Sequence, residues 1–127
     1  QVAAVHAGWQ GLAKGILSKA VLQFPDPTDV IVWLGPAIGP AAFEVGPDVL
    51  HAFGADVSSS CKEFTPIPAK PQKWLGNLYA LARKELLGLG VTQVFGGEYC
   101  TLSASDRFYS HRRDPASGRM ASLIWIV

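Results

Sequence analysis

Several features are scarce in this chain, and each scarcity excludes something. There is no apolar run near the roughly 20 residues that a bilayer-spanning helix needs, so no membrane partner is expected. There is no excess of one charge: 11 Lys and Arg stand against 10 Asp and Glu, a net of +1, which argues against general attraction to nucleic acid. There are only two cysteines, Cys61 and Cys100, and they lack the paired spacing of a metal knuckle. Reduced thiols in a cytoplasmic protein are therefore expected, and no secretory signal is visible. Internal repeats and low-complexity tracts are also missing. What remains is enough for one domain: at 127 residues, 49% of them hydrophobic, the chain can bury about two thirds of its unfolded surface.

The stretch Val2-Ala3-Ala4-Val5-His6-Ala7-Gly8-Trp9 organises the reading. An apolar run of this kind predicts a buried strand over 2–7. Gly8 permits a sharp turn, which places His6 at a strand's carboxyl end, where open α/β sheets bind ligands. A histidine hydrogen-bonded within the core is the competing reading. From Trp9 to Phe24, Leu12, Ile16, Ala20 and Phe24 recur every four residues and predict one helix, ended by Pro25-Asp26-Pro27. Gly11 and Gly15 within it suggest close packing on a sheet. Val30–Leu34 is apolar throughout and predicts a central strand over 30–35. It runs into Gly35-Pro36-Ala37-Ile38-Gly39-Pro40, a stiff loop whose backbone N–H groups around Gly35 and Gly39 can face an anion. The competing reading is a plain strand-exit turn.

Residues 42–45 form a short strand candidate, and Pro47 suits the first turn of a helix through Phe53. His51 on that helix has no neighbouring ligand type and is read as structural. Residues 55–72, with serines at 58–60 and prolines at 66, 68 and 71, predict a loop in which Cys61 has no partner. Trp74 to Leu89 carries Leu75, Leu78, Tyr79, Ala82, Leu86 and Leu89 on one face and predicts a helix stopped by Gly90. Strands are expected over 91–96 and 119–127, giving an α/β domain with a largely buried sheet. Between them, Ser105–Arg113 interleaves Arg107, His111, Arg112 and Arg113 with Phe108 and Tyr109. Arginine forks suit phosphate oxygens and an aromatic ring can stack a flat base, while a solvated charged loop is the alternative.

Taken together, His-Ala-Gly-Trp-Gln-Gly at 6–11, Gly-Pro-Ala-Ile-Gly-Pro at 35–40, Phe-Glu-Val-Gly at 43–46, Cys100-Thr101, Ser110-His111-Arg112-Arg113-Asp114, Gly118-Arg119-Met120-Ala121-Ser122 and Ile124-Trp125-Ile126 occur in order with little inserted between them. In this the chain resembles the YfiH-type laccase-domain family, once called multicopper polyphenol oxidases and now regarded as purine nucleoside phosphorylases. The resemblance implies a three-layer α-β-α fold with a mixed sheet, like the Cys/His hydrolase core of cytotoxic necrotising factor. It implies that residues 1–127 are the C-terminal part of one such domain, with a Gln-x-His and an Ala-Asp-Cys segment upstream.

The activity implied is phosphorolysis of a purine nucleoside to base and ribose 1-phosphate, with adenosine deamination as a companion. The implied cofactor is zinc, with copper the alternative, held by His6 together with an upstream His and Cys. His6 is then the catalytic and metal position, and Arg112, Arg113, Gly35 and Gly39 the phosphate or substrate positions. Cys100 does not match the family's metal cysteine and is read as a buried structural thiol. Three departures stand out: Gln10 where Arg is common, Asn77 where Asp is expected and His111 where Tyr is common. A Cys/His-type hydrolase or deamidase, a laccase-like polyphenol oxidase and a non-catalytic binding module are the alternative functions. No motif specifies an oligomeric state.

Overall fold

A computed structural model describes residues 1–57 and 61–127; the serines at 58–60 lie outside the described residues. The chain is a mixed α/β domain with parallel and antiparallel strand pairs, in line with the expected class. In order, it runs α1 (Trp9–Ala13), α2 (Ile16–Val21), a 3-10 turn (Pro27–Asp29), β1 (Ile31–Leu34), β2 (Glu44–Val45), α3 (Pro47–Ala52), β3 (Phe64–Pro66), β4 (Trp74–Gly76), α4 (Leu78–Gly88) and β5 (Gln93–Gly96). No helix among the described residues is long and apolar enough to cross a membrane.

The helix expected over 9–24 is broken at Gly15, which takes φ +72 between α1 and α2. That left-handed conformation costs glycine almost nothing and other residues much more. The apolar stripe survives the break: Leu12, Leu17 and Val21 all reach the core. Because Gly15 has no side chain to cap α2, Glu85 of α4 does so from across the interface, accepting from the Ser18 amide and hydroxyl.

The helix expected over 74–89 begins later. Trp74–Gly76 forms β4, pairing antiparallel with β2 and with β3. Asn77 then caps α4, its Oδ1 accepting from the Ala80 amide at 2.9 Å. An asparagine caps a helix about as well as an aspartate, so this departure from the family pattern leaves the local network intact. α4 ends as expected: Gly90 at φ +87 lets the Val91 amide return to the Leu86 carbonyl at 3.0 Å. The loop expected over 55–72 contains β3, and Cys61 forms an isolated bridge with Phe64.

β1 and β5 pair in parallel, with Ile31 opposite Gln93 and Leu34 opposite Gly96. Their inner residues Val32, Leu34 and Val94 pack on a core built around Leu50, Phe64, Leu86 and Val91. The outer face is not buried as expected: Ile31, Trp33 and Phe95 are 66%, 60% and 56% exposed. An uninterrupted apolar run therefore behaves here as an alternating strand. Two further strand expectations fail. Residues 2–7 and 119–127 have no regular structure, and Val2, Val5 and Leu123–Val127 are exposed. Apolar composition favours a strand only where a neighbouring edge is available to pair with it.

Candidate functional site

Parallel pairing sends the carboxyl ends of β1 and β5 in the same direction, so their exit loops run side by side. After β5, Gly96 and Gly97 take φ +78 and +87. A side chain at Gly96 would strike the Leu34 carbonyl oxygen and the Trp33 indole. The Gly97 amide donates to that same Leu34 carbonyl at 3.0 Å. The chain thus turns tightly against the end of β1 and delivers Cys100-Thr101 to the Gly35–Pro40 loop. There Ala37 and Cys100 form a parallel bridge, and the Thr101 amide donates to the Ala37 carbonyl at 2.9 Å.

Gly39 is buried in this contact, and its amide donates to the Cys100 sulfur at 3.2 Å. A Cβ on Gly39 would lie 2.9 Å from that of Cys100. Cys100 is half-buried, not fully buried as expected. Burial acts to raise its thiol pKa, but hydrogen bonds from the Ser103 hydroxyl and from the Ser103, Gly39 and Leu102 amides outweigh it and hold the thiol at about 7. Charge-assisted hydrogen bonds to sulfur favour the thiolate.

Two side chains of α4 organise these loops: Tyr79, which the sequence marks only as a packing residue, and Arg83, which it does not single out. Tyr79 of α4 accepts from the Ala37 amide at 2.7 Å and donates to the Tyr99 carbonyl at 2.6 Å. Arg83, one turn on, donates to the Val94 carbonyl at 2.8 Å and the Gly96 carbonyl at 2.6 Å. A polar tip on an apolar helix face was the only signal for Tyr79, and the apolar stripe masked it. Desolvation, followed by the nearby Cys100 and Glu98 charges, raises the Tyr79 pKa.

The basic-aromatic segment divides its arginines. Arg113 forks onto the Thr101, Leu102 and Phe108 carbonyls at 2.9, 2.8 and 2.7 Å. It ties down the loop that follows Cys100. Arg112 instead lies over the Phe43 ring at 5.6 Å, near Glu44, with no hydrogen bond or ion pair among the described residues. Phe43 is linked to the first loop, since its amide donates to the Gly39 carbonyl at 3.1 Å. Arg107 covers the Tyr99 and Phe108 rings at 4.6 and 5.5 Å, and Tyr109 is exposed.

Gly35, Gly39, Cys100 and Arg113 are therefore brought together, with Arg112 on the continuation of the first loop. His6 is not part of this network. It is exposed on the irregular segment before α1, with no hydrogen bond among the described residues, so it is not a core histidine. Among the described residues no group of three or more His, Cys, Asp and Glu is placed to hold a metal ion. The residues present do not assemble the three-ligand set that a catalytic zinc site takes. Two shallow grooves share Phe53, Leu81 and Lys84, one bounded by Leu12 of α1 and the other by Cys61 and Phe64, and neither includes a residue of either exit loop.

Fold and loops together define an α/β domain whose two exit loops meet at the carboxyl ends of two parallel strands, the edge at which open α/β sheets bind ligands. The whole chain, residues 1–127, matches the sequence model of the multi-copper polyphenol oxidoreductase laccase family, and the chain belongs to that family. It is 47% identical to a Haemophilus influenzae protein named purine nucleoside phosphorylase, over 98% of this chain and 52% of that one. It is 47% identical to purine nucleoside phosphorylase YfiH of Escherichia coli, over 100% of this chain and 51% of the relative. A crystal structure of a Neisseria meningitidis protein superimposes with a TM-score of 0.81 at 43% identity, covering 90% of this chain and 47% of that one. YlmD from Geobacillus stearothermophilus gives a TM-score of 0.75 at 31% identity, covering 87% and 43%. The chain spans about half the length of the curated relatives it matches.

Proposed function

We propose that this chain forms part of a purine nucleoside phosphorylase. In that reaction a phosphate oxygen bonds to C1′ of the ribose, the N-glycosidic bond breaks, and the purine leaves with its electron pair and takes a proton. The observation that carries the reading is the convergence of the Gly35–Pro40 and Gly97–Ala104 loops, with the Gly39, Leu102 and Ser103 amides gathered on the Cys100 sulfur between them. The names of the relatives supply the substrates. Phosphate is proposed to bind at these loops with Arg112, because Arg113 is committed to three carbonyls.

The metal at His6, zinc or copper, is proposed only together with ligands from beyond these residues, and no chemical step is assigned to it. The test is phosphate-dependent release of hypoxanthine from inosine and adenine from adenosine, by the chain alone and joined to the upstream half found in its relatives. Metal content is measured on both. Base release without phosphate dependence, or none from either form, overturns the reading. A Cys/His-type hydrolase would need a histidine brought to Cys100 from beyond this network, since His6 lies outside it. Glutamine-side-chain hydrolysis abolished by Cys100→Ser would establish it instead.

A further inference from the structure

The Tyr79 hydroxyl has no role in packing. Tyr79 is only 8% exposed on the α4 face, and a phenylalanine would fill the same space. What the oxygen adds is a junction. It accepts from the Ala37 amide at 2.7 Å, donates to the Tyr99 carbonyl at 2.6 Å and lies 3.4 Å from the Gly35 carbonyl. Ala37 and Gly35 belong to the loop leaving β1, and Tyr99 to the loop leaving β5. A single atom on a helix behind the sheet therefore fixes the spacing of the two loops.

That spacing matters at one other contact. Two residues beyond Ala37 the Gly39 amide meets the Cys100 sulfur at 3.2 Å, one residue beyond Tyr99. Gly39 leaves no room for a side chain here, because a Cβ on it would lie 2.9 Å from the Cys100 Cβ. The loops are also joined by the Thr101 amide and the Ala37 carbonyl, but that bond aligns the backbones along their length. Among the described residues, the phenol is what ties both loops from below, at the helix. The charged groups facing the phenol are Cys100 and Glu98.

We propose that Tyr79 is a positioning residue for the phosphate site: its hydroxyl holds the β1 and β5 exit loops at the separation at which the Gly39 amide and the amides after Cys100 converge on the Cys100 sulfur. This rests on the reading that these loops receive phosphate, and the test separates the two. Tyr79→Phe is made in a Cys61→Ser background, so that Cys100 is the sole thiol. Two quantities are read: the pH midpoint of Cys100 alkylation by iodoacetamide, and the KM for inorganic phosphate against kcat in phosphorolysis. The control is Leu86→Val, a buried change on the same helix that leaves the loops untouched.

Tyr79→Phe is expected to move the thiol midpoint from about 7 toward the ordinary value of 9.0. It is expected to raise the phosphate KM by about fivefold, the worth of one hydrogen bond, with kcat changed less. Leu86→Val is expected to move neither. If Tyr79→Phe leaves both quantities at the parental values, or if Leu86→Val moves them equally, the proposal is overturned. If the parent, joined to the upstream half found in its relatives, shows no phosphate-dependent turnover, the functional reading falls and the thiol midpoint alone decides the role of Tyr79. Hydrogen exchange on the unmutated chain gives a further check: an Ala37 amide that exchanges as fast as those of exposed turns overturns the junction itself.

Discussion

Glu85 caps a helix that is not its own. One carboxylate oxygen accepts from the Ser18 amide at 2.9 Å and from the Ser18 hydroxyl at 2.7 Å, so α4 supplies the cap that Gly15 denies to α2. Hydrogen bonds to a charged acceptor contribute about 1.5–3 kcal/mol and a helix cap about 1. Glu85→Ala is expected to lower stability by about 2 kcal/mol in urea unfolding, and Glu85→Gln, which keeps an acceptor, by about half of that. Equal losses in the two variants would show that the charge and not the cap is what matters.

Cys100 should titrate early. With its thiol held at about 7, Cys100 is expected to reach half its maximal alkylation rate near pH 7. The lowered value also links to folding. The contribution is complete above the unfolded value, near 9, and is lost as pH falls through 7. Cys100→Ser should therefore flatten the rise in melting temperature between pH 7 and 9. An unaltered profile would remove the thiolate from the account.

The arginine pair should separate by function. Arg113→Ala frees the Thr101, Leu102 and Phe108 carbonyls and is expected to lower stability by about 1 kcal/mol, the pair being exposed to solvent. Arg113→Lys should not restore it, because a point charge cannot fork onto separate acceptors. Arg112→Ala loses only its place over Phe43, a few tenths of a kcal/mol, yet it should raise the phosphate KM more than Arg113→Lys does. The reverse order would reassign the phosphate contact.

The outer face of β1 and β5 should be adhesive. Ile31, Trp33 and Phe95 stand together on it, each more than half exposed. Sedimentation of the 127-residue chain is expected to show concentration-dependent association. Trp33→Ser with Phe95→Ser should reduce it and change stability by less than about 0.5 kcal/mol. Association unchanged by the double variant would place the contact elsewhere, with the exposed Leu123–Val127 segment the first place to look.

How far the sequence could be read differs from element to element. α3 begins at Pro47 as the proline requires, and α4 ends at Gly90 as the glycine requires, because each residue restricts its own backbone. The start of α4 was hidden because Trp74 and Leu75 fit a helical stripe as well as a strand. Asn77 followed by Leu78 carried the true boundary. The break at Gly15 was hidden for the same reason: the stripe continues through it. Residues 2–7 and 119–127 read as strands from composition, but a strand is made by its partner. Gly35, Gly39 and Arg113 were legible as a set through their motifs, whereas Tyr79 and Arg83 act through atoms that periodicity does not see. His6 is the motif residue that the loop network leaves outside.

The parallel register of Ile31 with Gln93 has a consequence for the order in which this molecule comes together. Roughly 60 residues must be arranged before those two strands can meet, and closing a loop of that length costs about 4 kcal/mol of chain entropy. α1, α2 and the short β2–α3 segment are built from nearby residues and carry no such penalty. The parallel pair, and with it both exit loops, is thus expected to form late on the folding pathway. Until then β1 waits with its edge unpaired and both faces wet, and it is the segment through which newly made chains most readily find one another.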